Sequence, residues 1–273
     1  MHFRIFTICS LILIFPSLIF AQTVSNENQP AQNSSARIRT FSPFRKKPSG
    51  EQKKQLQASA EDLAKHAQFL EQPKTGIFRL LPESGCNENK YVINASPDCL
   101  NYIPDSSYYS FREKEHTAEI LSDIRLEKGY LISDGILTQG ILVELGDISL
   151  KDVSLESDGL DFLRNYVPET LSKDAYKQFL QITKGIGINN FFYRKALPAN
   201  ENSTYALRVI AYKASIFQTF RRFRYNILEG DKRIDLTLAF RVIRKDADGS
   251  VTLLWKELER REAPRINFPK KKK

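Results

Sequence analysis

Few side chains in this chain belong to the types that carry chemistry unaided. It holds three histidines and three cysteines, and one of each falls in an apolar N-terminal leader. The remaining histidines are His66, inside a run that reads as an amphipathic helix, and His116, beside Glu115 in a charged segment. Both are expected at the surface. A serine triad through His116 lacks the Gly-x-Ser-x-Gly turn that would expose a nucleophile. The run Gly185, Ile186, Gly187, Ile188, Asn189, Asn190 lacks the third glycine of a dinucleotide fingerprint, and it follows a predicted helix where that fingerprint follows a strand. No phosphate-loop pattern is present. Asp246, Asp248 and Gly249 resemble a calcium loop only in composition, because the glycine comes too early and no glutamate closes the loop. A hairpin turn accounts for them better, and no cofactor is expected.

Cys86 and Cys99 are the two cysteines left once the leader is set aside. In an exported chain a pair reads as one disulfide. A metal site would need a third and fourth ligand at recognisable spacing, and there is none.

Carboxylates cluster at Glu144, Asp147, Asp152, Glu156, Asp158 and Asp161. Glycoside hydrolysis needs only two carboxyl groups across a cleft, so a secreted hydrolase using residues 144–161 is the alternative function. Calcium would also accept such oxygens. Spacing along the chain does not set a carboxyl separation, and solvated loops are the simpler account.

Charge gives the positive lead. Lys and Arg number 41 against 32 Asp and Glu, a net of +9. Loss of Arg4 with the leader leaves 40 against 32, or +8. Arg221, Arg222, Arg224, Arg241 and Lys256 gather near the C-terminal end. In the expected register Arg222, Arg224, Arg241 and Lys256 share one outer sheet face, which makes them the candidate ligand-binding set. A basic face on a rigid sheet suits an anionic polymer, acidic lipid headgroups or an acidic protein. Export argues against nucleic acid as that partner. The expected function is therefore an exported, non-enzymatic binding or interaction protein.

The elements that must position these residues follow from periodicity. Phe223, Tyr225 and Ile227 alternate with polar residues, as do Ile234, Leu236, Leu238, Phe240 and Val242. Period-two alternation marks half-buried strands. With Val251, Leu253 and Trp255 they predict a C-terminal β-meander, in which Phe223, Leu238 and Trp255 form one core row. That register puts Glu257 on the inner face beside Leu236, at the sheet's rim. Further strands are expected at 77–81, 108–112, 118–127, 136–144, 191–196 and 205–214. Two central helices are expected at 160–166 and 172–183. Strands, then helices, then strands argue for an α+β fold with a mainly antiparallel sheet.

Upstream, residues 1–21 have one early positive charge and an apolar run broken at Pro16, the layout of a signal peptide cut after Ala21. This places the protein in a secreted or periplasmic compartment, with no membrane span in the mature chain. Residues 22–50 are rich in Gln, Asn, Ser and Pro and predict a disordered linker. Residues 51–73 predict an amphipathic helix with Leu56, Ala60, Leu63, Ala67 and Leu70 on its stripe. A single globular domain is expected over 74–262, followed by a basic tail over 263–273.

Overall fold

The computed structural model describes residues 45–89, 91–220 and 222–269. The expected signal peptide, most of the linker, Arg221 and the last four lysines lie outside the described residues.

Alternating apolar residues build the frame. In chain order the first strands are β1 (Thr75–Leu80), β2 (Tyr108–Ser110), β3 (Glu115–His116), β4 (Ile124–Glu127) and β5 (Tyr130–Ile132). There follow β6 (Asp134–Gly135), β7 (Thr138–Gly146), β8 (Ile186–Ile188), β9 (Phe191–Tyr193) and β10 (Ala196–Pro198). The last five are β11 (Thr204–Ala211), β12 (Phe217–Phe220), β13 (Phe223–Asn226), β14 (Ile234–Lys245) and β15 (Val251–Glu262). Helices α1 (Gly50–Gln55), α2 (Ala60–Lys65) and α3 (Ala67–Leu70) precede β1, while α4 (Asp161–Asn165) and α5 (Ser172–Lys184) lie between β7 and β8. The fold is α+β and mainly antiparallel.

Six strands form the larger sheet, in the order β1-β15-β14-β11-β7-β6, and five form a smaller one, β10-β5-β4-β2-β3. Leu238, Phe240, Leu253, Trp255 and Leu207 from the first meet Phe111, Ile124, Leu126 and Leu131 from the second in one core. Phe111 stands edge-on to Trp255, with ring centroids 5.4 Å apart, and Tyr205 stacks on Phe240 at 5.2 Å. Each such side chain contributes roughly 1.5–3 kcal/mol through burial. The opposite face of the larger sheet, with Ile141, Val143, Ala206, Ala239 and Leu254, is covered by Leu160 and Leu163 near α4 and Ile182 of α5. The architecture is thus three layers: small sheet, large sheet, helices.

Two glycines permit close approaches. A Cβ on Gly76 would lie 2.6 Å from the Trp255 indole nitrogen, and one on Gly140 would lie 2.5 Å from the Ser133 carbonyl oxygen.

Buried charges are paired. Arg112 bonds Asp123 (2.7 Å) and Asp231 (2.9 Å) and donates to the Leu121 and Lys232 carbonyls. Burial in low dielectric is tolerable only with partners of this quality.

Several expectations are corrected. Phe223–Asn226 does not pair with β14; it pairs with Phe217–Phe220 in a separate two-stranded hairpin. The neighbours of β14 are β11 and β15, so the C-terminal meander runs β11, β14, β15, with residues 212–233 as an excursion. Trp255 lies opposite Phe240, not Leu238, because the hairpin closes more tightly than expected, with Lys245 opposite Val251, and a bulge between Val242 and Arg244 then shifts the register by one residue. Glu257 faces Leu238 and is not at a wet rim: its side chain is 2 % exposed and pairs with Lys74 and Arg260. The N-terminal helical segment is divided into three pieces. Ser59 accepts from the Asp62 amide and starts a new helix. Leu56, Ala58 and Phe69 are buried, whereas Leu63 is exposed. The Cys86–Cys99 disulfide is present. Among the described residues no helix is long and apolar enough to cross a membrane.

Candidate functional site

The four predicted basic residues do not share a face. Arg241 projects from the helix-covered face of β14. Its guanidinium donates to the Ile148 carbonyl at 2.8 Å and to Thr204 Oγ1 at 3.0 Å, and pairs with Asp147 at 2.5 Å. Lys256 on β15 donates to the Lys151 carbonyl at 2.9 Å, and burial lowers its pKa. Both cations therefore staple residues 147–151 onto the sheet. On the same face Arg208 and Asp235 form a buried ion pair. This part of the predicted patch belongs to the fold, because charge on a covered sheet face must find local partners.

Arg222 and Arg224 stand apart, on the β12–β13 hairpin. There Thr219 faces Arg224 and Phe217 faces Asn226, so Arg224 and Phe217 are diagonal neighbours on one face. The Arg224 guanidinium lies 4.2 Å from the centroid of the Phe217 ring. Phe217, Gln218, Thr219, Arg222 and Arg224 are all exposed. Tyr225 donates its hydroxyl to Gln218 Oε1 at 3.1 Å across the two strands. Among the described strands the hairpin pairs with no other.

At the hairpin's base lies a cleft of about 290 Å³, lined by Arg45, Lys47, Lys53, His116, Tyr225 and Asn226 among others. Three of its five carboxylates are paired, Asp105 with Arg45, Glu113 with Lys232, and Asp231 with Arg112 and Arg233, while Glu115 and Glu229 line it exposed. Lys47 and Lys53 are exposed. A second cavity of about 500 Å³ adjoins it, lined by Leu56, Ile77, Phe78, Tyr109 and the same His116 and Lys53.

His116 is not the surface residue its charged neighbours suggest. It sits edge-on to Tyr109 and Phe78, with centroids 5.4 and 6.1 Å away. Its Nδ1 lies 3.0 Å from the Tyr108 carbonyl and 3.3 Å from that of Asp105, two acceptors that assign the proton to Nδ1. Nε2 is buried without a hydrogen-bond partner. Burial pushes the imidazole pKa down to about 4, against the opposing pull of the Tyr108 carbonyl. The ring is neutral at physiological pH and packs as part of the fold. Four charged residues separate it from Phe111, and only the β2–β3 pairing, which sets it opposite Tyr109, brings it to the core's edge.

Four of the six carboxylates of 144–161 are dispersed in local bonds. Asp147 pairs with Arg241, Asp161 with Arg164, Glu156 accepts from Ser154, and Glu144 accepts from Asn200. Among the described residues no three His, Cys, Asp or Glu side chains are grouped to hold a metal. Asp246 and Asp248 hold Arg79 and Ser250 at the β14–β15 turn.

No family model, curated protein or solved structure matches the chain. The reading of function therefore rests on the geometry above.

Proposed function

We propose that this is an exported, non-enzymatic binding protein that holds an anionic partner on the β12–β13 hairpin. The observation that carries the reading is the Arg224 guanidinium stacked 4.2 Å from the Phe217 ring on an exposed hairpin. Stacking limits the conformations of a long side chain, so less entropy is lost when an anion is bound. Arg222 adds a second exposed guanidinium in the turn itself. Planar guanidinium groups suit bidentate contact with carboxylate, phosphate or sulfate oxygens. Lys47 and Lys53 line the neighbouring cleft, beside the exposed carboxylates Glu115 and Glu229. Export is supported by the leader-like sequence of residues 1–21 and by the disulfide, which persists in oxidising compartments.

Arg241 and Lys256 have a different role here: they hold residues 147–151 and are not contact residues for a ligand. The test is binding to dextran sulfate, a soluble polyanion, over a range of ionic strength. Binding that weakens steeply with salt is expected, because exposed charges are screened. Absence of binding at low salt would overturn the proposal.

A further inference from the structure

The loop closed by the disulfide carries three successive exposed apolar side chains, and a fourth, Leu100, directly follows its second cysteine. Ile93 is 90 % exposed, Leu100 80 %, Tyr91 70 % and Val92 40 %. Single exposed apolar residues are ordinary, but a contiguous group marks a surface that meets something. The loop frame is fixed. Besides the Cys86–Cys99 bond, the Asn94 side chain accepts from the Asn87 amide at 2.8 Å and donates to its carbonyl at 3.1 Å. The apolar tips are held outward by this frame.

Cations border the tip. Arg45 bridges to Asn89 in antiparallel fashion, the Lys46 amide donates to the Glu88 carbonyl at 2.7 Å, and Lys46 Nζ reaches the Val92 carbonyl at 3.4 Å. Lys47 follows, exposed. Of the nearby acids, Glu88 is paired with Arg45 and accepts from Tyr102, leaving Asp98 exposed at the loop's far end. Arg45 and Lys47 also line the cleft shared with Tyr225 and Asn226 of the hairpin. The basic segment thus links the apolar tip to the base of the hairpin, across a cleft that also carries Glu115 and Glu229.

We infer that this surface seats the protein on an anionic lipid bilayer. Tyr91, Val92, Ile93 and Leu100 enter the headgroup boundary while Lys46, Lys47, Arg222 and Arg224 meet lipid phosphates. Apolar and aromatic tips rimmed by cations are the composition of interfacial binding, and neither part suffices alone. A protein-binding patch would more often centre on packed anchors in pockets, whereas these side chains project outward. The inference rests on the anion-binding reading of the hairpin and names its partner.

The test uses the purified protein and its Ile93→Asp and Leu100→Ser variants, checked for an intact disulfide and unchanged circular dichroism. Binding is measured to vesicles of phosphatidylglycerol and phosphatidylcholine, and separately to dextran sulfate. Each variant is expected to lose about tenfold or more in vesicle binding, the equivalent of one withdrawn aliphatic side chain, while binding dextran sulfate as before. Equal vesicle binding by wild type and variants overturns the inference and leaves the hairpin reading standing. The same follows if wild type binds dextran sulfate and no vesicles, which would point to a soluble or protein partner. Failure to bind either probe at low salt overturns both.

Discussion

The Arg208 guanidinium and the Asp235 carboxylate meet side-on across the larger sheet, Nε to Oδ1 at 2.8 Å and Nη2 to Oδ2 at 2.6 Å. The same guanidinium donates to the Leu163 and Tyr166 carbonyls at 2.5 and 2.7 Å, at the end of α4. One buried cation thereby ties the helical layer to the sheet. Asp235→Ala strands that cation without its counter-charge, and a loss of roughly 3–5 kcal/mol in unfolding free energy is expected. The paired replacement Arg208→Met with Asp235→Leu should cost less than Asp235→Ala. Urea denaturation of the three variants decides; a loss below about 1 kcal/mol for Asp235→Ala contradicts the role assigned to the pair.

Gly76 gives a test of the β1–β15 register. It lies opposite Trp255, and an added methyl would press on the indole at 2.6–3.0 Å. Gly76→Ala should destabilise by about 1–3 kcal/mol. Since the protein has a single tryptophan, intrinsic fluorescence reports the displacement directly. An unchanged spectrum and unchanged stability would contradict the close contact.

Protonation of His116 should oppose folding. Its pKa falls from 6.5 to about 4 in the fold, so between those values the unfolded chain binds the extra proton. Stability then rises with pH through this window and is lost as pH falls through it, by up to about 1.4 kcal/mol per pH unit for one proton. His66 is shifted in the same direction, chiefly by burial. His116→Asn, which keeps an N–H near the Tyr108 carbonyl, should therefore show a shallower slope than wild type. Equal slopes between pH 6.5 and 4 would contradict the burial of a neutral ring.

Reducing Cys86–Cys99 should lower stability by roughly 3 kcal/mol on the chain-entropy account of a short closed loop. Denaturation with and without reductant measures it. No difference would mean that the loop's frame is held by its hydrogen bonds alone.

Alternation made the long β14–β15 hairpin legible, since Leu236 to Val242 and Val251 to Trp255 each keep their apolar residues on one face. Its register was not legible, because alternation announces neither the tight turn that sets Lys245 opposite Val251 nor the bulges farther along. The strand at Phe223 was visible too, but alternation fixes a face and not a neighbour. Its partner is Phe217–Phe220, across a short turn, and not β14. Half of the basic patch dissolved with that misplacement. Arg112, Asp123 and Asp231 escaped notice because charged residues are ordinarily read as solvent-facing, and only the three-dimensional network shows them buried together. The exposure of Ile93, between the cysteines, and of Leu100, just after them, was not legible either, since an apolar side chain does not announce an outward position.

The central claim is that the hairpin, and not the sheet face, carries the anion-binding charge. The direct measurement is dextran sulfate binding at low salt by two double variants, Arg222→Ala with Arg224→Ala and Arg241→Ala with Lys256→Ala. The hairpin pair should lose about tenfold or more in affinity with stability unchanged, as expected for removing two exposed guanidinium groups. The sheet pair should lose stability, because residues 147–151 are released, while affinity of the folded fraction stays near wild type. Undiminished binding by the hairpin variant would contradict the account.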